Sequence, residues 1–472
     1  MSTTASAAAT RYEAEGASAT CDGFIESNHT GYSGTGFCNA NNAVGAAAQF
    51  TVTASAAGQA TLAIRYANGG TANRPADIFV NGAVAHAGAP FDLTGAWATW
   101  VTKTLTVSVN AGSNNIRLSP TTANGLPNID YLDFEANGVS PSPSASSSPP
   151  PGRPAECTGT SPIRCNFAVS PGNYTVTAWI GDRASAGNTS MSVEARRRIL
   201  PAVSTAAGTI TQYVFTINVR QPEGQPTGQG GTGTPGLQFT FAGSAPKLSG
   251  LTVQPASNPL VVYLAGDSTT CDQMIAPYTG WGQLLTTHVK AGAVIANYAD
   301  SGESSGSFLN NSALFPTMRP LIKTNDLVLI QFGHNDKQTS ASTFRSNLTS
   351  MINQVRGRGG IPVLVTPPVR RQFNGSQLTP TALHVNGVGV NLPAEMRNLG
   401  SSLNVPVIDL TAKSEALVES MGPTNSAQLY LRESVDGVTD NTHFSEYGAG
   451  RMADLVVQGI RERNLSLVAY LR

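Results

Sequence analysis

One segment limits every fold open to this chain: Ser140–Pro154, reading SPSPSASSSPPPGRP. Proline and serine without apolar side chains cannot pack a core, so the segment reads as an extended tether. Whatever precedes it must fold as a separate module. The 472 residues are also too many for one ordinary core, and about two to four domains are expected.

Upstream, residues 1–139 carry short alternating strands: AQFTVTA near Phe50, ATLAIRYA near Leu62, ADIFVNG near Ile78, WVTKTLTVSV near Trp100, NNIRLS near Ile116 and NIDYLDFE near Tyr131. Asn81-Gly82 is a hairpin signal. Regular short strands without a helical period predict a β-sandwich. Downstream, residues 155–258 continue in the same style with GNYTVTAWIG, TSMSVEARR, TQYVFTINV and LQFTFAG. The glycine-rich stretch Gln225–Pro235 lacks the Lys-Ser/Thr ending of a phosphate-binding loop, and no helix follows it. A second small sandwich is expected.

Residues 259–472 change character. VVYLAG, DLVLIQFG, IPVLVTP and VPVIDL are short, nearly continuous apolar runs. Between and after them, Phe344, Leu348, Met351, Ile352 and Val355 share one helical face, as do Ala449, Met452, Val456 and Ile460. Strands alternating with helices predict a parallel sheet covered on both sides. Sites in such sheets lie beyond the carboxyl ends of the strands.

Composition narrows the function classes. Net charge is zero and 12% of residues are charged, with no basic stretch, so no nucleic-acid partner is expected. No run of about 18 apolar residues occurs, so no membrane span is expected. The opening MSTTASAAATRYEAEG has neither a charged n-region nor an apolar h-region. A signal peptide is expected to be absent, or removed and replaced by Met1. Of five cysteines, Cys21 with Cys38 and Cys157 with Cys165 form two local couples, while Cys271 is left over. Two local disulfides would fit a secreted protein; five small buried residues are the alternative.

At the predicted strand ends stand Gly266-Asp267-Ser268-Thr269, Asn297 to Gly302, and Gly333-His334-Asn335-Asp336; Asp440-Asn-Thr-His443 precedes the last helix. A serine hydroxyl needs a base to take its proton. His443, with an unperturbed pKa of about 6.5, can do so at neutral pH, and Asp440 three residues earlier can reach its other ring nitrogen. Ser268 follows a strand and is expected to open a helix. The G-x-S-x-G elbow is not met, because Thr270 stands at its last glycine. His334 and Asp336 read as support for Asn335 or as lining of the cleft.

In order, LAGDST, GWGQLL, NYADSGESSGSF, QFGHND and DNTHFSEYGA resemble the SGNH/GDSL hydrolases, and within them the rhamnogalacturonan acetylesterase family, carbohydrate esterase family 12. The resemblance covers about 259–472. It implies an α/β three-layer, flavodoxin-like domain with a parallel sheet, Ser268, Asp440 and His443 as catalytic residues, and an oxyanion hole from the N–H groups of Ser268 and Gly302 and the Asn335 amide. The residues 155–258 resemble a small β-domain that precedes the hydrolase in some members. One departure is Ser301-Gly302-Glu303-Ser304, where many relatives carry Gly-Gly-Arg-Ser. Glu303 would reverse a charge beside the oxyanion loop, and an acidic polysaccharide would feel that change. Arg319, Arg370 and Arg371 are the candidates to supply positive charge instead, with solvated surface arginines as the default reading.

Tyr12-Glu-Ala-Glu15, GYSGTGF over Gly31–Phe37, and NIDYLDF resemble carbohydrate-binding modules of family 35, with family 6 a close second. Glu13 and Glu15, at i and i+2 of one strand, would face the same side. Brought near Asp130 and Asp133 they would suit calcium, and the resemblance implies a structural calcium site. The alternative is a solvated acidic strand edge. Tyr32, Trp97, Trp100 and Asn128 are the sugar-face candidates.

The reading is therefore a multidomain chain, two β-sandwich modules followed by an α/β hydrolase: a secreted, monomeric serine esterase that deacetylates a plant polysaccharide, acetylated rhamnogalacturonan or pectin foremost. No catalytic cofactor is expected. An acetylxylan or lipolytic esterase is the alternative, and a non-catalytic polysaccharide-binding protein the second.

Overall fold

Alternation shapes the N-terminal strands. In Ala48–Ala54 the side chains of Ala48, Phe50, Val52 and Ala54 are buried while Thr51 and Thr53 are exposed, as in antiparallel sheets with one wet face. The computed structural model describes residues 10–54, 58–110, 112–137, 150–221, 223–228 and 231–472. It divides into two compact units, Met1–Ser142 and Pro143–Arg472. The first ten residues of the Ser140–Pro154 tether, 140–149, and Gln229 and Gly230 of the glycine-rich stretch, lie outside the described residues.

The first unit has two antiparallel sheets. One contains Thr10–Glu13, Gly23–Glu26, Phe37–Ala40, Gly58–Ala67, Val101–Val109 and Asn128–Asn137; the other Ala19–Cys21, Ala48–Ala54, Ala76–Val80, Ala83–Ala89 and Gly112–Pro120. Phe50, Leu62, Ile64, Ile78, Ile116, Leu118 and Leu132 form the core. A disulfide between Cys21 and Cys38 ties one sheet to the other. Asn81 and Gly82 both take positive φ, 51° and 82°, as a two-residue primed turn requires.

In the second unit, residues 157–255 form a five-stranded and a three-stranded antiparallel sheet around Val176, Ile180, Met191, Phe215, Phe239 and Phe241. Cys157 and Cys165 are disulfide-bonded. TSMSVEARR is not one strand. Strand Gly187–Val193 ends, Glu194 and Arg196 turn left-handed at φ 55° and 58°, and a new strand runs Arg197–Thr205. The turn delivers the Arg197 guanidinium to Asp272 of the following domain, an ion pair of 2.7 Å with both side chains fully buried.

The remaining residues build a parallel sheet of β1 (Leu260–Ala265), β2 (Ala293–Asn297), β3 (Leu327–Ile330), β4 (Ile361–Val365) and β5 (Val407–Ile408), in the order β2-β1-β3-β4-β5. Strands buried on both faces explain the unbroken apolar runs. Val262 and Leu264 join one core with residues of α3 (Leu410–Asn425) and α4 (Glu446–Glu462). Val261, Tyr263 and Ala265 join the other, with residues of α1 (Ala341–Arg356) and α2 (Leu392–Leu403). Helix α1 buries Phe344, Leu348, Met351, Ile352 and Val355. Ser340 and Ser445 cap α1 and α4 by accepting from Thr343 N–H and Gly448 N–H, the usual use of serine at that position. The order reverses direction between β1 and β3, and such a switch point opens a crevice at the carboxyl ends.

Candidate active site

The residues after β1 carry the nucleophile candidate. Ser268 does not open a helix. The chain makes a single turn in which Thr270 and Cys271 N–H both donate to Asp267 O at 3.0 Å, and the next helix starts only at Trp281. The turn holds Ser268 at the switch point with 7% of its surface exposed. The short strand Asp440–Phe444, paired with Tyr430–Leu431, brings in the other two groups. Ser268 Oγ lies 2.8 Å from His443 Nε2, and His443 Nδ1 lies 2.6 Å from Asp440 Oδ2.

Protonation follows from that geometry. Burial works against charge on Asp440. Hydrogen bonds from the His443 ring and from the backbone N–H groups of His443 and Thr442 outweigh it, and the carboxyl sits at about 2. An ionised Asp440 requires the Nδ1–H tautomer, which leaves His443 Nε2 as acceptor for the Ser268 hydroxyl. Tyr278 supports the ring edge-on at 5.4 Å.

The loops after β2 and β3 close on the same point. Asp300 N–H donates to Gly266 O at 3.1 Å, placing the Asp300–Ser304 loop beside the nucleophile turn. Gly302 takes φ 81°, a conformation that suits glycine. One N–H of the Asn335 amide donates to Glu303 O at 3.1 Å; its other N–H is left for a ligand. Asp336 is buried and accepts from Ser305 N–H and O–H, so it braces the loop. Glu303 corrects an expectation: its side chain is buried, and burial raises its carboxyl, with Ser307 opposing. It is not the open negative charge that its position in the sequence implied.

Beneath the nucleophile, Asp267 is fully buried. Burial opposes its charge, but His334 and the N–H and O–H of Thr269 overcome it, and the carboxyl sits at about 2. His334 Nδ1 lies 3.2 Å from Asp267, and burial pushes that imidazole down, with Asp267 opposing. Gln331 ties Thr269, Thr270, Trp281 and Asp267 into one network. Cys271 is buried, which pushes its thiol up and leaves it a packing residue.

Of the three arginines, only Arg370 reaches the site. It donates to Thr442 Oγ1 at 2.5 Å and to His334 O at 2.9 Å. Arg319 bonds Gln354, and Arg371 bonds Pro423 O. Arg370, His334, Lys337 and His384 line a cleft of about 360 Å³ that has no carboxylate among its lining residues. His384 and the buried glutamines Gln225 and Gln273 carry no spacing signal, because they are collected from distant loops, whereas Gln331 opens the QFGHND block.

In the first unit, Tyr32, Trp97 and Trp100 converge. Phe37 contacts Tyr32 at 5.7 Å and Trp100 at 5.3 Å, and His29 stacks between Phe37 and Trp97. Arg65 and Arg74 lie over the Trp100 and Trp97 rings. Asn128 is instead buried. The strand carrying Glu13 stops there, so Glu15 is not on it. Both carboxylates nonetheless meet the Ser33–Thr35 loop, and Glu13 Oε2 and Glu15 Oε2 are buried without a partner. Two such oxygens fit a hard cation. Asp130 and Asp133 do not join them, because Arg65 and Arg11 hold them in ion pairs. Among the described residues no cluster of three or more His, Cys, Asp or Glu is placed to hold a metal.

Known families match both parts of the chain. The GDSL-like Lipase/Acylhydrolase family matches residues 264–451, and the Carbohydrate binding module (family 6) matches residues 13–136. Rhamnogalacturonan acetylesterase RhgT of Bacillus subtilis (strain 168) is 38% identical over 226 residues, 45% of this chain and 94% of its own. Probable rhamnogalacturonan acetylesterase YesY of the same organism is 32% identical over 221 residues, 44% and 94% respectively. The N-terminal unit is similar to part of an exo-beta-D-glucosaminidase of Amycolatopsis orientalis, 48% identical over 121 residues, 26% of this chain and 12% of that one. The chain belongs to the GDSL-like lipase/acylhydrolase family as an esterase with rhamnogalacturonan acetylesterase homologues, and it carries an N-terminal carbohydrate-binding module.

Proposed function

We propose that this chain is a secreted esterase that removes acetyl groups from a plant cell-wall polysaccharide, acetylated rhamnogalacturonan foremost, through an acetyl-enzyme on Ser268. The carrying observation is the unbroken line Asp440–His443–Ser268, with contacts of 2.6 and 2.8 Å. Ser268 Oγ attacks the acetyl carbonyl as its proton passes to His443 Nε2. The oxyanion is held by the N–H groups of Ser268 and Gly302 and the free N–H of Asn335. His443 then protonates the departing sugar oxygen. Water repeats the sequence in reverse, losing a proton to His443 and releasing acetate.

Three further features support the reading. The cleft beside His334 offers Arg370 and Lys337 without a carboxylate, which suits an acidic sugar. Two disulfides favour an oxidising, extracellular setting. The aromatic group around Phe37 offers a platform for a sugar face, in a module that we read as family 35 with family 6 beside it. Calcium at Glu13 and Glu15 would brace the Ser33–Thr35 loop; chelation with EDTA should lower the melting temperature, and an unchanged melt would remove calcium from the account.

The test of substrate class is acetate release from acetylated pectic polymers and acetylxylan, with acetyl and butyryl chromogenic esters alongside. The pectic polymer should be deacetylated fastest. Faster cleavage of butyrate would make the enzyme lipolytic, and preference for acetylxylan would overturn the pectic assignment.

A further inference from the structure

The small β-domain sends one loop into the hydrolase. Gln225, in the glycine-rich stretch, is fully buried. Its Oε1 accepts from Ser301 N–H at 3.0 Å, and its Nε2 donates to Gln273 Oε1 at 3.0 Å. Gln273 Nε2 donates in turn to Ser268 O at 2.9 Å. Two residues on, Thr227 N–H and O–H bond the two carboxylate oxygens of Asp300 at 3.1 and 2.8 Å. The loop is itself braced. Gln225 N–H donates to Gly231 O at 3.0 Å, and Gly233 N–H to Glu223 O at 3.1 Å. Gly224, at φ 76°, lies so close to Met274 that a Cβ there would come within 2.8 Å.

These bonds grip the residues just ahead of Gly302. Gln225 holds the Asp300–Ser301 peptide unit by its N–H, and Thr227 holds the Asp300 side chain. Through Gln273 the same clasp reaches the carbonyl of the nucleophile itself. An oxyanion donor is effective only when it is already aimed at the developing charge. A loop ending in a glycine needs such restraint from outside, because glycine supplies none.

We infer that Gln225 is a positioning residue for the esterase reaction, so that the small β-domain completes the active site. The inference rests on the acetyl-enzyme reading above. It is distinct from mere packing, because packing would affect how much enzyme is folded and not how fast each folded molecule turns over.

The test uses the full chain with Gln225→Leu and, separately, Thr227→Val, a nearly isosteric change at a partly exposed position. Active sites are titrated with a chromogenic phosphonate. Then kcat per titrated site, KM for an acetyl ester, and affinity for a boronic acid that mimics the tetrahedral intermediate are measured. In Gln225→Leu, kcat per site should fall about tenfold to hundredfold, with KM within about twofold and boronate binding weakened in parallel. Thr227→Val should show the same pattern at smaller size, and it carries the test if Gln225→Leu fails to fold. Parental kcat per titrated site, with only the titratable fraction reduced, would overturn the inference. Ser268→Ala separates the two levels: hydrolysis surviving in Ser268→Ala would sink the acetyl-enzyme reading, whereas an inert Ser268→Ala beside a fully active Gln225→Leu would sink only the role of Gln225.

Discussion

In the proposed mechanism Asp440 works without changing its own charge. It accepts from His443 Nδ1 and stays ionised down to about pH 2, so it would fix the tautomer throughout the working range. An amide in its place could present N–H to the ring and favour the wrong tautomer. Asp440→Asn should therefore lower kcat on the order of 10³–10⁴-fold with little effect on KM; a loss under tenfold would mean that His443 is oriented by other groups. Glu194 behaves in the opposite sense. Burial, and then the neighbouring Glu223, raise its carboxyl to about 8, with Arg197 and the Gln238 N–H opposing. A folded carboxyl that holds its proton above the unfolded value of about 4.3 makes stability fall as pH rises between the two values. The chain should lose stability from about pH 4.3 to about pH 8, and Glu194→Gln should flatten that slope in denaturant titrations. An identical slope in the variant would place the titration elsewhere.

At the scale of elements, the turn Glu194–Arg196 is the joint between the small β-domain and the hydrolase. It presents Arg197 to Asp272, and Gln283 Nε2 bonds Ala195 O across the same contact. Asp272→Ala would leave a buried guanidinium without its carboxylate, which costs about 3–5 kcal/mol. Denaturation should show a loss of that size; a loss below about 1 kcal/mol would mean that water replaces the carboxylate. This joint was not legible in the sequence, because TSMSVEARR alternates like one strand and the partner of Arg197, Asp272, lies far away in the chain. The long periodic pieces were legible. Helix α1 buries the five residues that its spacing predicted, and each apolar run of the hydrolase that was singled out contributes a strand of the parallel sheet. The short strands Ala19–Cys21 and Gly23–Glu26 escaped, since three or four residues carry too little pattern. At the site, the convergence of Ser268, His443 and Asp440 could be anticipated because they stand in recognisable blocks of the sequence. Gln225 and Gln273 could not, because a glutamine's role depends wholly on what tertiary structure places at its two ends. Asp130 and Asp133 misled for the same reason: nothing in NIDYLDF announces that Arg65 and Arg11 will take them.

At the scale of the whole molecule, two compact units share one chain, and the two proposed tasks fall in different units. Tyr32, Trp97 and Trp100 belong to the first unit, and Ser268, His443 and Asp440 belong to the second. Trp97→Ala in the full chain should weaken retention on insoluble pectic polymer while leaving hydrolysis of a small soluble acetyl ester at its parental rate. Unchanged retention would remove the aromatic group from the account of binding. In the proposed reaction one serine, aligned by His443 and Asp440, carries the acetyl group from sugar to water. The most direct measurement is acetate released from acetylated rhamnogalacturonan by the full chain and by Ser268→Ala at equal concentration of folded protein. Steady release by the parent and a loss on the order of 10⁴-fold or more in the variant are expected; release by Ser268→Ala at a rate near the parent's would contradict the acetyl-enzyme on Ser268.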